Sequence, residues 1–289
     1  YSSHHLSHCL YGISVVKNIS EYVHITCDGV GEGETMSIHT IDNKFKIKKI
    51  WANFYPNSIG LFYSSITDYL GFEINEGEFK VMSLSSFGKP KYEKQLKQMF
   101  NINNFKINMD YFEFQKNLSK SFSKKLCKMF GKPYLNLNEE ANFKKYADIA
   151  SSAQLILEET MENLIKKAIQ ISGKKKIVLT GGVALNCKMI HNLSKLDIFD
   201  ELIVPPSPGD SGSAIGAANF AYLNNTKNKT LDFNTIFLGP KKELINDKKN
   251  KDNLFSKIIS TENFIGDAAH KIINGEIIAS YYGLTEVGP

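Results

Sequence analysis

The sequence contains no arginine: the 35 basic residues among its 289 are all lysines. A phosphate or carboxylate must therefore be held by lysine, backbone N–H groups, hydroxyls or a metal, because no planar guanidinium fork is available. The net charge is only +5, and the lysine clusters are short and lack interleaved aromatic residues. This pattern favours solvated surface over a nucleic-acid site.

Cysteine and long apolar runs are also scarce. The four cysteines lie far apart, without the paired spacing of a zinc or redox site; they are Cys9, Cys27, Cys127 and Cys187. We therefore expect free thiols in a reducing cytoplasm. No stretch approaches the roughly 20 apolar residues of a membrane span, and no signal-peptide pattern opens the chain. These absences predict a cytoplasmic protein with no membrane partner.

Aromatic residues are plentiful, and 42% of the chain is hydrophobic, which excludes a disordered protein. Strands, glycine turns and helices alternate along the sequence and predict an α/β fold with ligands at the strand ends. Predicted helices cover residues 4–18, 58–70, 147–171, 211–223 and 264–273. Predicted strands cover residues 22–27, 176–180, 202–204 and 277–282, with a hairpin formed by 35–40 and 45–51.

Two stretches interrupt this pattern. Residues 91–140 are rich in Lys and Asn and are interpreted as a small peripheral insertion. Residues 224–252 have a similar composition and are interpreted as a linker or surface connection. The one helix and one strand predicted beyond it cannot build a core alone. This tail either packs on the main domain or begins a second one.

Two histidines and two aspartates suggest a metal site. His4 and His8 lie four residues apart on a predicted helix, so their imidazoles share one face; His5 points elsewhere. Alone, such a pair more often has a surface or core role. Asp28 follows a buried strand and Asp210 precedes a helix, positions that project carboxylates into a strand-end crevice. Together they would suit Fe(II), Mn or Zn.

Three glycine-rich turns follow predicted strands, at residues 28–34, 180–186 and 205–216. Glycines at such places let backbone N–H groups approach phosphate oxygens, and a helix N-terminus favours an anion. The alternative for the first turn is an ordinary hairpin, and for the second a tight strand-to-helix crossover. Three such turns in one chain favour phosphate binding more strongly than any one of them does alone.

The segments 4–8, 28–32, 78–82 with 88–90, 180–186 and 208–212 occur in an order that resembles the O-carbamoyltransferases of the nodulation-protein-U and tobramycin-carbamoyltransferase type. The resemblance implies a partial actin-like ATPase (ribonuclease-H-like) domain over residues 1–232. It also implies that 233–289 are a linker and the start of a threonylcarbamoyl-adenylate-synthase-like domain. We therefore expect the chain to be an internal segment that lacks the first lobe and most of the last domain, and to be inactive alone.

The resemblance further implies a reaction. Carbamoyl phosphate and ATP would form carbamoyl-adenylate, and the carbamoyl group would pass to a hydroxyl of a sugar or secondary metabolite. An iron-type divalent metal would be held by His4, His8, Asp28 and Asp210. The implied phosphate neighbours are Gly29, Gly31 and Glu32, and the implied nucleotide contacts are Gly181, Gly182 and Asn186. Glu78 and Lys80 match a motif without an assigned role.

The sequence departs from the family at two positions: Ser3 replaces an expected Asp beside the His pair, and Leu284 replaces an expected Arg. Two alternatives therefore stay open, a tRNA threonylcarbamoyl transferase-like enzyme and a non-catalytic nucleotide-binding homologue. The second-domain start and the dispersed lysines argue against the first of these. The general base is not assigned, although His39 is a candidate, and homo-oligomerisation also stays open.

Overall fold

The computed structural model describes residues 2–116, 120–226, 239, 262–279 and 284. The chain divides into two compact units, Tyr1–Asn234 and Thr235–Pro289. In the described part of the first unit, five strands form one sheet: β1 (Tyr22–Gly31), β2 (Glu34–Ile41), β3 (Ile47–Phe54), β6 (Lys176–Thr180) and β7 (Glu201–Ile203). Their order across the sheet is β3-β2-β1-β6-β7. The expected α/β fold is confirmed.

The sheet combines two kinds of pairing. Strands β1, β2 and β3 form an antiparallel meander, whereas β6 pairs parallel to β1 and β7 parallel to β6. Parallel neighbours need helical crossovers, which place helices on both faces of the sheet. Since Thr26 lies opposite Thr180 in the β1–β6 pair, both strands end at one edge. The residues just beyond this paired region, Asp28 within β1 and Gly181 after β6, therefore meet at this carboxyl edge.

The two faces of β1 differ in character because side chains alternate along a strand. Val23, Ile25 and Cys27 are fully buried in the main hydrophobic core. On the other face lie His24 and Thr26, under helix α1 (His4–Ile13). Helix α8 (Asp210–Asn225) packs closely on α1. This layer holds the smaller core cluster and brings the chain's first helix to the carboxyl edge.

In the described part of the first unit, the remaining α-helices are α2 (Ile59–Tyr69), α3 (Glu78–Leu84), α4 (Glu93–Lys97), α5 (Lys124–Phe130), α6 (Glu140–Ser172) and α7 (Cys187–Leu193). Helix α6 begins seven residues before the predicted start and ends at Ser172. The next residue, Gly173, has a φ of 70°, the left-handed conformation that glycine favours. Helix α1, predicted to reach residue 18, ends at Ile13. Ser14 there donates its hydroxyl hydrogen to the Tyr11 carbonyl and closes the last turn.

Residues 91–140 do not form the peripheral insertion that their composition predicted. The segment contains α4, α5 and the short hairpin β4 (Phe100–Asn101) and β5 (Lys106–Ile107). Many of its apolar side chains are buried in the main core, among them Leu96, Met99, Phe100, Phe105, Tyr111, Phe112, Phe122, Leu126 and Phe130. The polar residues occupy the surface while the spaced aromatics face inward, so average composition concealed the packing.

In the second unit the structure describes helix α9 (Phe264–Ile273), as predicted. The strand expected over residues 277–282 is absent from its described portion, Ile277 to Ala279; the remainder lies outside the described residues. The predicted linker 224–252 is also mostly outside them. None of the helices in the described ranges is both long and apolar enough to cross a membrane.

Candidate functional site

Four side chains converge at the carboxyl edge of the sheet. One ligand atom from each of His4, His8, Asp28 and Asp210 lies within 4.8 Å of the others. The two Nε2 atoms are 3.1 Å apart, and each is 3.1 Å from Oδ2 of Asp28. Each Nε2 is also 3.4 Å from Oδ1 of Asp210. The structure thus brings together all four residues predicted as metal ligands.

Each ligand is placed by a different local feature. The histidines occupy adjacent turns of α1, so their rings face the same side, and His8 is fully buried whereas His4 is partly open. Asp28 lies near the end of β1, where the strand reaches the sheet edge. Asp210 is the first residue of α8 and its side chain is 76% exposed. The cluster therefore has a closed side and an open side.

The electrostatics of the cluster favour a negatively charged Asp28. Burial acts to raise the pKa of its carboxyl group, but hydrogen bonds from His4, His8 and the Gly29 N–H overcome that effect and hold the pKa well below its usual range. The hydrogen bond to Asp28 raises the pKa of His4, against the opposing effect of burial. A divalent cation would compete with protons for these same atoms.

The donor set fits a divalent metal. Two imidazole nitrogens and two carboxylate oxygens suit Fe(II), Mn or Zn. The distances between the two Nε2 atoms and from them to the carboxylate oxygens are 3.1–3.4 Å, and all four atoms lie within 4.8 Å, a spacing that leaves room for one ion between them. Nδ1 of His8, which points away from the cluster, is buried and has no hydrogen-bond partner among the residues that the structure describes. Ser3 caps α1 through its carbonyl, which accepts the N–H of Ser7.

The first predicted phosphate turn, residues 28–34, is a β-hairpin. Gly29 and Gly31 belong to β1, Gly31 pairs with Glu34, and the connecting residues Glu32 and Gly33 both have positive φ. This is the type I′ turn that suits a two-residue hairpin. A Cβ on Gly31 would overlap the His4 imidazole, so this glycine makes room for a predicted ligand. Residues 28–34 therefore have the structure of an ordinary hairpin, the alternative interpretation of this turn.

The second turn, residues 180–186, is a tight crossover that touches the cluster. Gly181 has φ of 95°, donates its N–H to the Pro208 carbonyl at 2.8 Å, and lies so close to the Cys27 carbonyl that a Cβ would overlap it. A Cβ on Gly182 would lie 2.9 Å from Oδ1 of Asp28. The backbone of this turn therefore passes directly beside the aspartate.

Asn186, predicted to contact the nucleotide, is engaged with protein groups. Its Oδ1 accepts the N–H of Met189 and caps α7, and its amide pairs with that of Gln154. Gln154 was not singled out from the sequence, since a glutamine within a helix carries no local signal of such a contact.

Three other residues named from the sequence have clear surroundings. Glu78 accepts hydrogen bonds from the Ser64 hydroxyl and the Asn75 N–H. Lys80 extends over aromatic rings on the surface. His39 is buried in β2 opposite His24, four residues before Asp28 along β1, and burial lowers its pKa to about 4. None of the three belongs to the metal-ligand cluster.

Known proteins resemble the chain along its whole length. It is 28% identical to the uncharacterized protein sll1178 of Synechocystis over all of this chain and 48% of that protein. It is 25% identical to the nodulation protein NolNO of Sinorhizobium fredii over all of this chain and 41% of that protein. The chain thus spans about half the length of the curated relatives it matches. The activator of 2-hydroxyisocaproyl-CoA dehydratase from Clostridium difficile, solved with bound ADPNP, overlaps 78% of this chain and 70% of its own, with 15% identity and a TM-score of 0.43.

The decisive match is to a family model. The model described as the carbamoyltransferase N-terminus matches residues 1–219, a range that includes all four converging side chains and both turns beside them. The chain belongs to the carbamoyltransferase family, whose N-terminal region it carries.

Proposed function

We propose that this chain forms part of a metal-dependent O-carbamoyltransferase. The observation that carries the proposal is the convergence of His4, His8, Asp28 and Asp210 within a region that matches the carbamoyltransferase N-terminus. Carbamoyl phosphate, ATP and water would give carbamoyl-adenylate, phosphate and pyrophosphate, and transfer of the carbamoyl group to a hydroxyl would release AMP and the hydroxyl proton. The acceptor would be a hydroxyl of a sugar or other small metabolite.

The two histidines and two aspartates would hold a divalent cation such as Fe(II). When bound, the cation would supply positive charge that neutralises a phosphate and polarises a carbonyl group. The hydrogen bond from the Gly29 N–H to Oδ1 of Asp28, 2.7 Å long, keeps the carboxylate oriented with Oδ2 toward the histidines. The protein would thus hold the four metal-ligand side chains in a fixed arrangement.

The turns beside the cluster would serve the nucleotide. Gly181 lies against the Cys27 carbonyl and Gly182 lies beside the Asp28 carboxylate, so this turn borders the cluster. The N-terminus of α8, which carries Asp210, is a place where N–H groups favour negative charge. Gly29, Gly31 and Glu32 adjoin the same cluster. Asn186, at the other end of the turn 180–186, would contact the nucleotide.

The relationship to an actin-like ATPase domain is part of the proposal. It is supported by the antiparallel β1–β3 meander extended by parallel β6 and β7, with helices on both faces. Residues 233–289 are proposed to lead into a domain similar to threonylcarbamoyl-adenylate synthase. The relatives' greater length is in keeping with a further domain.

The test uses the full-length protein that contains this chain, incubated with carbamoyl phosphate, ATP and a panel of hydroxylated acceptors. Mass spectrometry would detect the carbamoylated acceptor, and chromatography would detect AMP. We expect both products from the wild type, and their loss in His8→Ala and Asp28→Asn. Product formation at wild-type rates in both variants would remove the cluster from the reaction. Absence of AMP and product with every acceptor would count against transfer chemistry.

A further inference from the structure

A buried amide pair fixes one end of the turn that passes beside Asp28. Gln154 on α6 is 2% exposed, and its side chain meets that of Asn186 through two reciprocal hydrogen bonds. Gln154 Nε2 donates to Asn186 Oδ1 and Asn186 Nδ2 donates to Gln154 Oε1, each at 2.9 Å. Two antiparallel bonds between planar amides set both the distance and the orientation of the groups they join.

The hydrogen-bonding capacity of Gln154 is fully used. Besides the two bonds to Asn186, its Oε1 accepts the Tyr63 hydroxyl at 2.9 Å and its Nε2 donates to Oε1 of Glu158 at 2.8 Å. A carboxamide has two acceptor sites and two donor hydrogens, so all four are engaged. Helices α2, α6 and α7 are therefore tied together at this one side chain.

The opposite end of the turn is fixed by different contacts. Gly181 donates its N–H to Pro208, and its Cα lies against the Cys27 carbonyl, where a side chain would not fit. Between the two ends runs the short 3₁₀ helix Gly182–Leu185, which begins beside the Asp28 carboxylate. A segment held at both ends has little freedom to move away from a ligand.

We propose that Gln154 is a positioning residue that, through Asn186, holds the turn 181–186 in the conformation required to bind a nucleotide. The inference rests on the proposed function, since it takes the nucleotide to lie at this turn. Gln154 itself would not touch the ligand, because it is buried behind Asn186. Its effect would therefore be on nucleotide affinity, and the four metal ligands on α1, β1 and α8 would be unaffected.

The experiment measures two affinities in each variant: mant-ATP by fluorescence, and Mn²⁺ by isothermal titration calorimetry. Gln154→Met keeps the length of the side chain and removes the amide. We expect the affinity for mant-ATP to fall by about tenfold or more, a loss of the size seen when a residue that orients a ligand-binding side chain is removed. Mn²⁺ affinity should change by less than about threefold, and circular dichroism should show an intact fold.

Tyr63→Phe is the matched control. It removes a hydroxyl that donates to the same Gln154 oxygen and also interacts with Asn186, and it leaves the two hydrogen bonds between the amides in place. We expect its mant-ATP affinity to stay within about twofold of the wild type. In the double variant Gln154→Met/Asn186→Ala, the loss should be no greater than in Asn186→Ala alone, since both changes break one connection.

Wild-type mant-ATP affinity in a folded Gln154→Met protein would overturn the positioning role and leave the proposed nucleotide site standing. An equal loss of Mn²⁺ and mant-ATP binding, or full additivity in the double variant, would reduce Gln154 to a general stabilising residue and also overturn it. Failure of the wild type to bind mant-ATP at all would refute the nucleotide proposal, and this inference with it.

Discussion

Gly31 and His4 share one space: a Cβ atom on the glycine would overlap the imidazole ring of the histidine. Gly31→Ala should therefore push His4 away from His8 and Asp28. We expect Mn²⁺ or Fe(II) affinity to fall by about tenfold or more, as for other changes that misorient a ligand. Isothermal titration calorimetry on the folded variant measures this directly.

Gly29→Ala is the matched control, in the same strand two residues earlier. A Cβ there would meet its nearest atom, in Leu61, at 3.8 Å, which is an ordinary contact. Metal affinity should remain within about twofold of the wild type. An equal loss in the two alanine variants would mean that the strand, and not the space beside His4, determines metal binding.

Metal affinity should fall on acidification. The hydrogen bond to Asp28 raises the pKa of His4, so the proton that must leave before a metal binds is held more firmly than in a free histidine. Below that pKa, affinity should drop about tenfold per pH unit for each proton released. Titrations with Mn²⁺ at pH 8, 7 and 6 would show this. A pH-independent affinity would argue that His4 is not a ligand.

Folding stability should also fall in mild acid, for a separate reason. Burial lowers the pKa of His24 to about 3 and that of His39 to about 4, whereas both have pKa values near 6.5 when unfolded. Between these limits the unfolded chain takes up protons that the folded chain does not. Each histidine should therefore reduce the free energy of unfolding by up to about 1.4 kcal/mol per pH unit below pH ~6.5.

Urea unfolding at pH 7, 6 and 5 provides the measurement. His24→Leu removes one of the two groups, so the stability of this variant should decline less steeply with falling pH, whatever its stability at pH 7. An unchanged slope in His24→Leu would show that His24 titrates alike in the folded and unfolded states.

Gly88 lies directly on the backbone of α6, where a Cβ would overlap the Ala147 carbonyl. Next to it, the Lys89 N–H donates to Oδ1 of Asp148 at 2.8 Å. Gly88→Ala should destabilise the fold by about 2–4 kcal/mol, because the new Cβ would overlap main-chain atoms of α6 and the overlap can be relieved only by moving one of the two main-chain segments. Lys89→Ala keeps the N–H and removes only an exposed side chain, so its effect should be below about 0.5 kcal/mol. Urea midpoints of the two variants test the contrast.

The four metal-ligand candidates could be predicted because each carried a local signal. The i, i+4 spacing placed His4 and His8 on one helix face, and Asp28 and Asp210 bordered regular elements. The amide partner of Asn186 could not be predicted this way, since Gln154 lies in a different helix and nothing nearby in sequence marks it. Contacts between distant segments leave no periodic pattern in either segment.

The same reasoning explains the fold predictions. Strand β6 and helix α9 were correct in their full extent because apolar spacing and turn residues bounded them clearly. Residues 91–140 were misjudged because Lys and Asn dominate their composition, while aromatics such as Phe100 and Phe122 reach the core singly. The first turns of α6 were missed because Glu140, Lys144 and Lys145 are charged, although Phe143 packs against the core and Tyr146 is buried.

Helices α1 and α8 touch through bare backbone, since a side chain on Gly216 would overlap the Ser7 carbonyl. One of these helices opens the described chain and the other follows β7, yet each carries ligands of the same cluster. An ion bound there would link two helices that are about 200 residues apart in the sequence. Metal loading and folding would then be one linked equilibrium, in which an ion present at about 100 times its dissociation constant adds about 2.7 kcal/mol to stability. Removing the ion with a chelator would therefore destabilise the packing of α1 and α8 on the sheet, and with it the arrangement of the four ligand side chains.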